Sequence, residues 1–279
     1  MEEQRIHRAV SDDGTEIAGR IYGQGPPLVL IHGAMADGEL EWGELLPWLT
    51  DRFTCYVPSM RGRGLSGAHP DLSREARVRD VAAFVESIGE PVGLVGVSGG
   101  GMLALGTAAR TSAVTAVVAS EPVVFEVLSE EVLAGFWEAV GRMAAAAEQG
   151  RAAEAAGTFL ALIANDEEVA ALSADPEGLE AVAQYVPVDL EELREAFEFD
   201  GPSPTDPSVL QQIAVPTLLL HGSRTALSWF TDSTRHAAEH VPDATVREIT
   251  DIGHLGHLVH PDRVAGELIA FLAAAPEPA

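Results

Sequence analysis

The sequence predicts an α/β fold: a mostly parallel eight-stranded sheet flanked by helices, with a helical cap inserted late in the sheet. Three observations predict it. Short runs rich in Val, Ile and Leu alternate with amphipathic stretches, the pattern of strands buried on both faces and joined by helical crossovers. An Asp-Gly step separates two strand-like runs near the start of the chain, which marks a hairpin. Strand-like text then stops between Glu121 and Val215, where Ala, Glu and Leu dominate between Gly and Pro stops, and such text favours several short helices.

In chain order, residues 5–10 and 16–22 flank Ser11-Asp12-Asp13-Gly14 and form the antiparallel pair that opens the sheet. Parallel strands follow at 28–31, 55–57, 92–97, 114–119 and 217–220, and a last one at 244–250. Helices are predicted over 39–50, 73–88, 99–110, 228–241 and 261–274, the last two opening on a cap-type residue and a first-turn proline. The α/β core is thus read as 1–121 with 207–279, and the cap, a lid, as 122–206. The Gly- and Pro-rich text 201–207 is the return linker.

A chain of 279 residues buries one sizeable core, and its 47% apolar and 22% charged composition is that of a globular protein. Net charge is −26, and every cation is Arg, which argues against nucleic-acid and anionic-membrane partners. Residues 122–206 hold nineteen acids against Arg142, Arg151 and Arg194, a composition that sets them apart and reads as a solvated acidic surface. The first ten residues lack the basic-then-apolar pattern of a signal peptide, so cytoplasmic residence is expected. Cys55, alone of its kind, lies in an apolar run and reads as a buried strand thiol. The longest uncharged stretch, 91–109, is broken by six glycines and a serine, unlike a bilayer span.

The strongest chemical signal is Gly96-Val97-Ser98-Gly99-Gly100, directly after a strand and before a helical stretch. A nucleophile on so tight a turn takes a strained backbone, and side chains two residues away on either side would collide, so Gly96 and Gly100 must be small. Ser98 is read as the nucleophile. His32-Gly33-Ala34 ends the strand at 28–31, where the N–H of Ala34, with that of Gly99, makes a two-donor oxyanion hole. The helix beginning at Gly99 adds its positive end. His32 itself reads as a structural residue of the loop. A serine hydroxyl is nearly inert at neutral pH and needs an imidazole, and His254 in Asp251-Ile252-Gly253-His254 arrives late in the chain as its general base. His257 and His260 compete for that role. Their spacing invites a metal, but no carboxylate or cysteine set completes a site, so neither metal nor cofactor is expected.

The order of parts resembles the α/β-hydrolase superfamily across essentially the whole chain: His-Gly loop, Arg61-Gly62-Arg63-Gly64-Leu65-Ser66, Gly-Val-Ser-Gly-Gly elbow, cap, Leu-His-Gly and late Gly-His. The glycines Gly62-x-Gly64-x-x-Gly67 also fit a dinucleotide fingerprint, but Ala68-His69-Pro70-Asp71 opens no helix. The resemblance implies a catalytic triad in the order nucleophile, acid, histidine. Most members carry the acid in a Gly-x-x-Asp turn after the seventh strand; here the text is His221-Gly222-Ser223-Arg224-Thr225, with Thr225 in the acid's place. Glu121, at the end of the sixth strand, is the candidate acid, because catalytic side chains gather at that edge of open α/β sheets. Asp232 and Asp251 are the alternatives.

The expected activity is hydrolysis of a carboxylic ester or lactone of a small to medium, largely uncharged substrate through an acyl-serine, with thioesterase and acyltransferase as chemical variants. A receptor with little turnover, or a cofactor-free lyase or oxygenase using the histidine as base, are the competing readings. Met35, Met102, Phe125 and Trp137 are read as lining the pocket, with Phe136, Phe159 and Tyr185 as further apolar residues of the cap. Oligomeric state is not specified by any of these features.

Overall fold

The protein is described by a computed structural model over residues 5–198 and 201–274. Strands β1 (Ile6–Val10) and β2 (Glu16–Gly23) pair antiparallel through the turn at Gly14, whose φ of +88° suits glycine. Six further strands follow: β3 (Pro27–Ile31), β4 (Thr54–Pro58), β5 (Val92–Val97), β6 (Val114–Ser120), β7 (Thr217–Gly222) and β8 (Ala244–Ile249). The spatial order is β1-β2-β4-β3-β5-β6-β7-β8, antiparallel as far as the β2–β4 pairing and parallel beyond it. This is the mostly parallel eight-stranded sheet that the alternating text predicts.

Alternate residues of the central strands serve opposite faces, as the two-residue strand period requires. Val29, Ile31, Leu94, Val117 and Leu219 meet α3 (Arg74–Ile88), α4 (Gly99–Ala108) and α11 (Ser228–His240) through Val81, Phe84, Leu103 and Ala237. Leu28, Leu30, Val95, Val118 and Leu218 meet α1 (Gly38–Trp42), α2 (Leu46–Leu49) and α13 (Pro261–Leu272) through Trp42, Leu49, Val264 and Leu268. Each such side chain contributes roughly 1.5–3 kcal/mol on burial, so the strand ends that carry functional residues stand on a rigid base. Cys55 is buried in β4, and burial pushes its thiol up to about 12, which leaves it protonated and unreactive at neutral pH.

One predicted helix differs. The text 39–50 forms α1 and α2 as separate short pieces, because Pro47 lacks the N–H that a continuous helix would bond to Gly43 and its ring would crowd that carbonyl.

After β6 and as far as residue 198 the chain forms a 3-10 turn (Phe125–Val127) and five helices: α5 (Glu130–Glu148), α6 (Ala152–Ile163), α7 (Asp166–Ala174), α8 (Pro176–Ala183) and α9 (Val186–Glu198). No strand interrupts them among the described residues. Their apolar faces join Phe136, Val140, Met143, Phe159 and Ile163 to Met35 and Leu255 on the loops after β3 and β8 and to Trp229 and Phe230 in the first turn of α11. The insertion therefore sits over the C-terminal edge of the parallel strands. Short helices α10 (Pro207–Leu210) and α12 (Gly256–Val259) complete the element order. No helix among the described residues is long and apolar enough to cross a membrane.

Candidate active site

Ser98 stands between β5 and α4 with φ 55° and ψ −124°, a left-handed backbone that costs a non-glycine residue of order 1–3 kcal/mol. Glycine is required on both sides. A Cβ on Gly96 would lie 2.2 Å from the carbonyl oxygen of Gly100, and one on Gly100 would lie 2.3 Å from that of Ile31. The turn is tied to the sheet by the Ser98 N–H, which donates to the Ser120 carbonyl at 2.9 Å. Gly99 is the first residue of α4, so its N–H has no intrahelical acceptor and lies at the positive end of the helix.

The loop after β3 is clamped amide by amide. The buried His32 ring bonds the Gly33 carbonyl through Nδ1 at 2.7 Å and accepts the Met60 N–H on Nε2 at 2.9 Å. Burial, aided by the charge of Arg63, holds its pKa below the ordinary value, so the ring is neutral and structural. Gly33 N–H donates to Glu41 Oε2 at 2.7 Å, and Met35 N–H to both carboxylate oxygens of Asp189 at 3.2 Å. The Ala34 N–H between them has no acceptor among the described residues. Ala34, Ser98 and Gly99 line one cavity.

His254 is buried on the loop after β8, and its Nδ1 is 2.6 Å from Glu121 Oε2. Glu121, 1% exposed, caps β6 with φ +43° and is held by two further donors: Gly222 N–H on Oε1 at 2.9 Å, and the Thr225 hydroxyl on Oε2 at 3.0 Å. Beside the carboxylate, Nδ1 carries the ring proton and Nε2 is left to accept one. Phe230 stacks on the imidazole with ring centroids 3.8 Å apart. No hydrogen bond joins Ser98 Oγ to His254, although both line a second cavity. Asp232 bonds Arg235 on the surface of α11, and the exposed Asp251 lies 3.9 Å from Arg263. Neither bonds His254. The other two histidines have carboxylate partners of their own, His257 with Glu41 at 2.6 Å and His260 with Glu167 at 3.0 Å. Among the described residues no cluster of three or more His, Cys, Asp or Glu is arranged to hold a metal.

The first cavity encloses about 740 Å³, its mouth included, and its walls include Met102, Phe125, Phe136, Phe159, Trp229 and Phe230. Its charged lining groups, Arg77, Asp189 and Glu192, are all ion-paired: Asp189 with Arg63 at 2.7 Å, and Glu192 with Arg63 at 3.0 Å and with Arg77 at 2.9 Å. Met35 lines the second cavity. Trp137 lines neither, contrary to its reading as a pocket residue. It is 41% exposed with its ring 4.4 Å from Phe197, because one residue along α5 from the inward Phe136 is about 100° around the helix. Tyr185 is also outside, its hydroxyl donating to Asp37 at 2.6 Å.

A sequence profile of the alpha/beta hydrolase family matches residues 28–267. The chain belongs to that family. It is 37% identical over 94 residues to a pyrrolizixenacetamide deacetylase of Xenorhabdus hominickii, covering 32% of this chain and 34% of that protein. It is 40% identical over 83 residues to a pimeloyl-[acyl-carrier protein] methyl ester esterase of Methylococcus capsulatus, covering 30% and 31%. Each match spans about a third of the relative's length. Among solved structures, an alpha/beta hydrolase from Sphaerobacter thermophilus superposes with a TM-score of 0.72 at 27% identity, over 95% of this chain and all of that one. The esterase RhEst1 of Rhodococcus sp. ECU1013 shares the fold with a TM-score of 0.77 at 23% identity, over 97% and 99%.

Several residues that shape the site of this alpha/beta hydrolase were not legible as such in the sequence. Thr225 and the Gly222 amide support Glu121, Phe230 packs on His254, and Glu41 and Asp189 clamp the loop after β3. Glu168 of α7 accepts the Leu255 N–H at 2.8 Å, holding the residue after His254. Its sequence signal was Asn165-x-x-Glu168, a capping box that the structure forms.

Proposed function

We propose that the protein is a serine hydrolase that cleaves a carboxylic ester or lactone of a small to medium, largely uncharged substrate, with the helical insertion as the cap of its site. The observation that carries this reading is the buried His254–Glu121 pair at 2.6 Å, with His254 lining the smaller of the two cavities that the strained Ser98 also lines. In this reading Ser98 Oγ attacks the carbonyl carbon and its proton passes to His254 Nε2. The Ala34 and Gly99 amides donate to the oxyanion, an arrangement in which one donor typically contributes about 10²–10³ in rate. Glu121 fixes the tautomer of His254 and balances its charge. His254 returns the proton to the leaving oxygen as the carbon–oxygen bond breaks; water then repeats the sequence and frees the serine. The ion-paired charges of the larger cavity suit an uncharged substrate, and a relative named as a methyl ester esterase supports an ester as the bond cleaved.

A panel of acyl esters and lactones of graded size, assayed on the wild type and on Ser98→Ala, tests the reading. Turnover that falls by about 10⁴-fold or more in the variant is expected for loss of a nucleophile. Turnover retained in Ser98→Ala would favour lyase or oxygenase chemistry, and ligand binding without turnover in either protein would favour a receptor.

A further inference from the structure

We propose that the two cavities at Ser98 sort the substrate by chemistry: an aryl-bearing acyl group enters the larger one, and a short aliphatic alcohol portion occupies the smaller. This inference rests on Ser98 and His254 acting as proposed above. Gly33, Ala34, Ser98 and Ile163 line both cavities, so a carbonyl carbon attacked by Ser98 sits at their junction with one substituent on each side. His254 lines only the smaller of the two. Its Nδ1 is committed to Glu121, so Nε2 is the atom that delivers a proton, and the leaving oxygen must come within hydrogen-bond reach of it. The leaving alcohol is thereby assigned to the smaller cavity and the acyl chain to the larger.

The walls differ in kind as well as size. The larger cavity offers the ring faces and edges of Phe125, Phe136, Phe159, Trp229 and Phe230, which suit an aromatic ring. The smaller, about 490 Å³ with its mouth, is lined by Leu40, Leu160, Leu172, Leu255 and Leu258 together with the mutually bonded Glu41 and His257, and among the described residues it presents no Phe, Tyr or Trp. When the alcohol leaves, it vacates the position beside His254 Nε2 that the second reactant, water, must take. Water then forms a bond to the acyl carbon, the carbon–Oγ bond breaks, and the proton taken by His254 passes to Oγ.

The test uses two isomers with the same atoms, ethyl phenylacetate and 2-phenylethyl acetate, whose aromatic ring lies on opposite sides of the ester. The full chain is expected to prefer ethyl phenylacetate by at least about tenfold in kcat/KM, the lower range of what one mismatched group in an apolar pocket contributes. Equal rates or the reverse preference would overturn the assignment. Leu172→Phe, which narrows the smaller cavity, is expected to lower kcat/KM for ethyl relative to methyl phenylacetate by at least about threefold; an unchanged ratio contradicts the proposal. If a fluorophosphonate labels Ser98 but neither isomer turns over, the sorting proposal alone fails. If neither turns over and Ser98 is not labelled, the serine reading fails and takes the proposal with it.

Discussion

Glu121 gathers three donors on one buried carboxylate: the His254 ring, the Gly222 amide and the Thr225 hydroxyl. Its place at the end of β6 is what made it legible as the acid candidate once Thr225 stood in the customary turn. The hydroxyl of Thr225 was not legible as its partner, since the contact joins residues 104 apart. Thr225 meets the same carboxylate oxygen, Oε2, that faces His254 Nδ1, and this yields a specific expectation. Glu121→Ala lowers kcat by roughly 10³- to 10⁴-fold, as loss of the orienting acid does elsewhere. Adding Thr225→Asp to that variant moves a carboxylate to the strand-seven turn and restores at least about tenfold of the loss. Steady-state rates of the single and double variants decide it, and a double variant no better than the single one would count against Glu121 as the acid. The misread Trp137 belongs to the same scale: composition marks an aromatic residue as pocket-forming, but only the phase of α5 says which of Phe136 and Trp137 faces inward.

At the scale of elements, the insertion is tied to the core by two carboxylates that hold opposite sides of the site. Glu168 at the start of α7 accepts the amide of Leu255 beside His254, and Asp189 in α9 accepts the amide of Met35 beside Ala34. Asp189 is itself held by a two-point bond from Arg63 at 2.7 and 3.1 Å. Strands and long helices were legible because apolar period and punctuation act locally, whereas these ties join distant text and left only a capping-box trace. The split of the first predicted helix at Pro47 has a local cause, and that residue was the missed signal. Asp189→Asn, which weakens the hold on Met35, is expected to lower kcat about ten- to a hundredfold with KM little changed, by loosening the proposed oxyanion donor Ala34 beside it. It should also lower the thermal midpoint, because breaking a buried ion pair costs about 3–5 kcal/mol. A lowered midpoint with kcat per folded enzyme unaltered would make Asp189 purely structural.

Across the whole molecule, early and late text close on each other through Glu41 of α1 and His257 of α12, which lie 216 residues apart and bond at 2.6 Å. Burial pushes the Glu41 carboxyl up, but the hydrogen bond and charge of His257 and the Gly33 amide outweigh it and hold the group below its ordinary 4.5. A carboxyl with a depressed folded pKa gives its full stabilisation above the unfolded value and loses it as pH falls through the folded one. The wild type should therefore lose more thermal stability than Glu41→Gln between about pH 5 and pH 3, and parallel curves would contradict this linkage. The family and its order of parts were legible over the whole chain, since glycine-dependent turns leave fixed spacings; the cavities were not, because their walls come from six or more distant segments. Whether Ser98 is the nucleophile is decided by peptide mapping by mass spectrometry after reaction with a fluorophosphonate. One adduct is expected, on the peptide that carries Ser98, and none in Ser98→Ala; an unmodified Ser98 in a protein that still hydrolyses esters would rule the serine out as nucleophile.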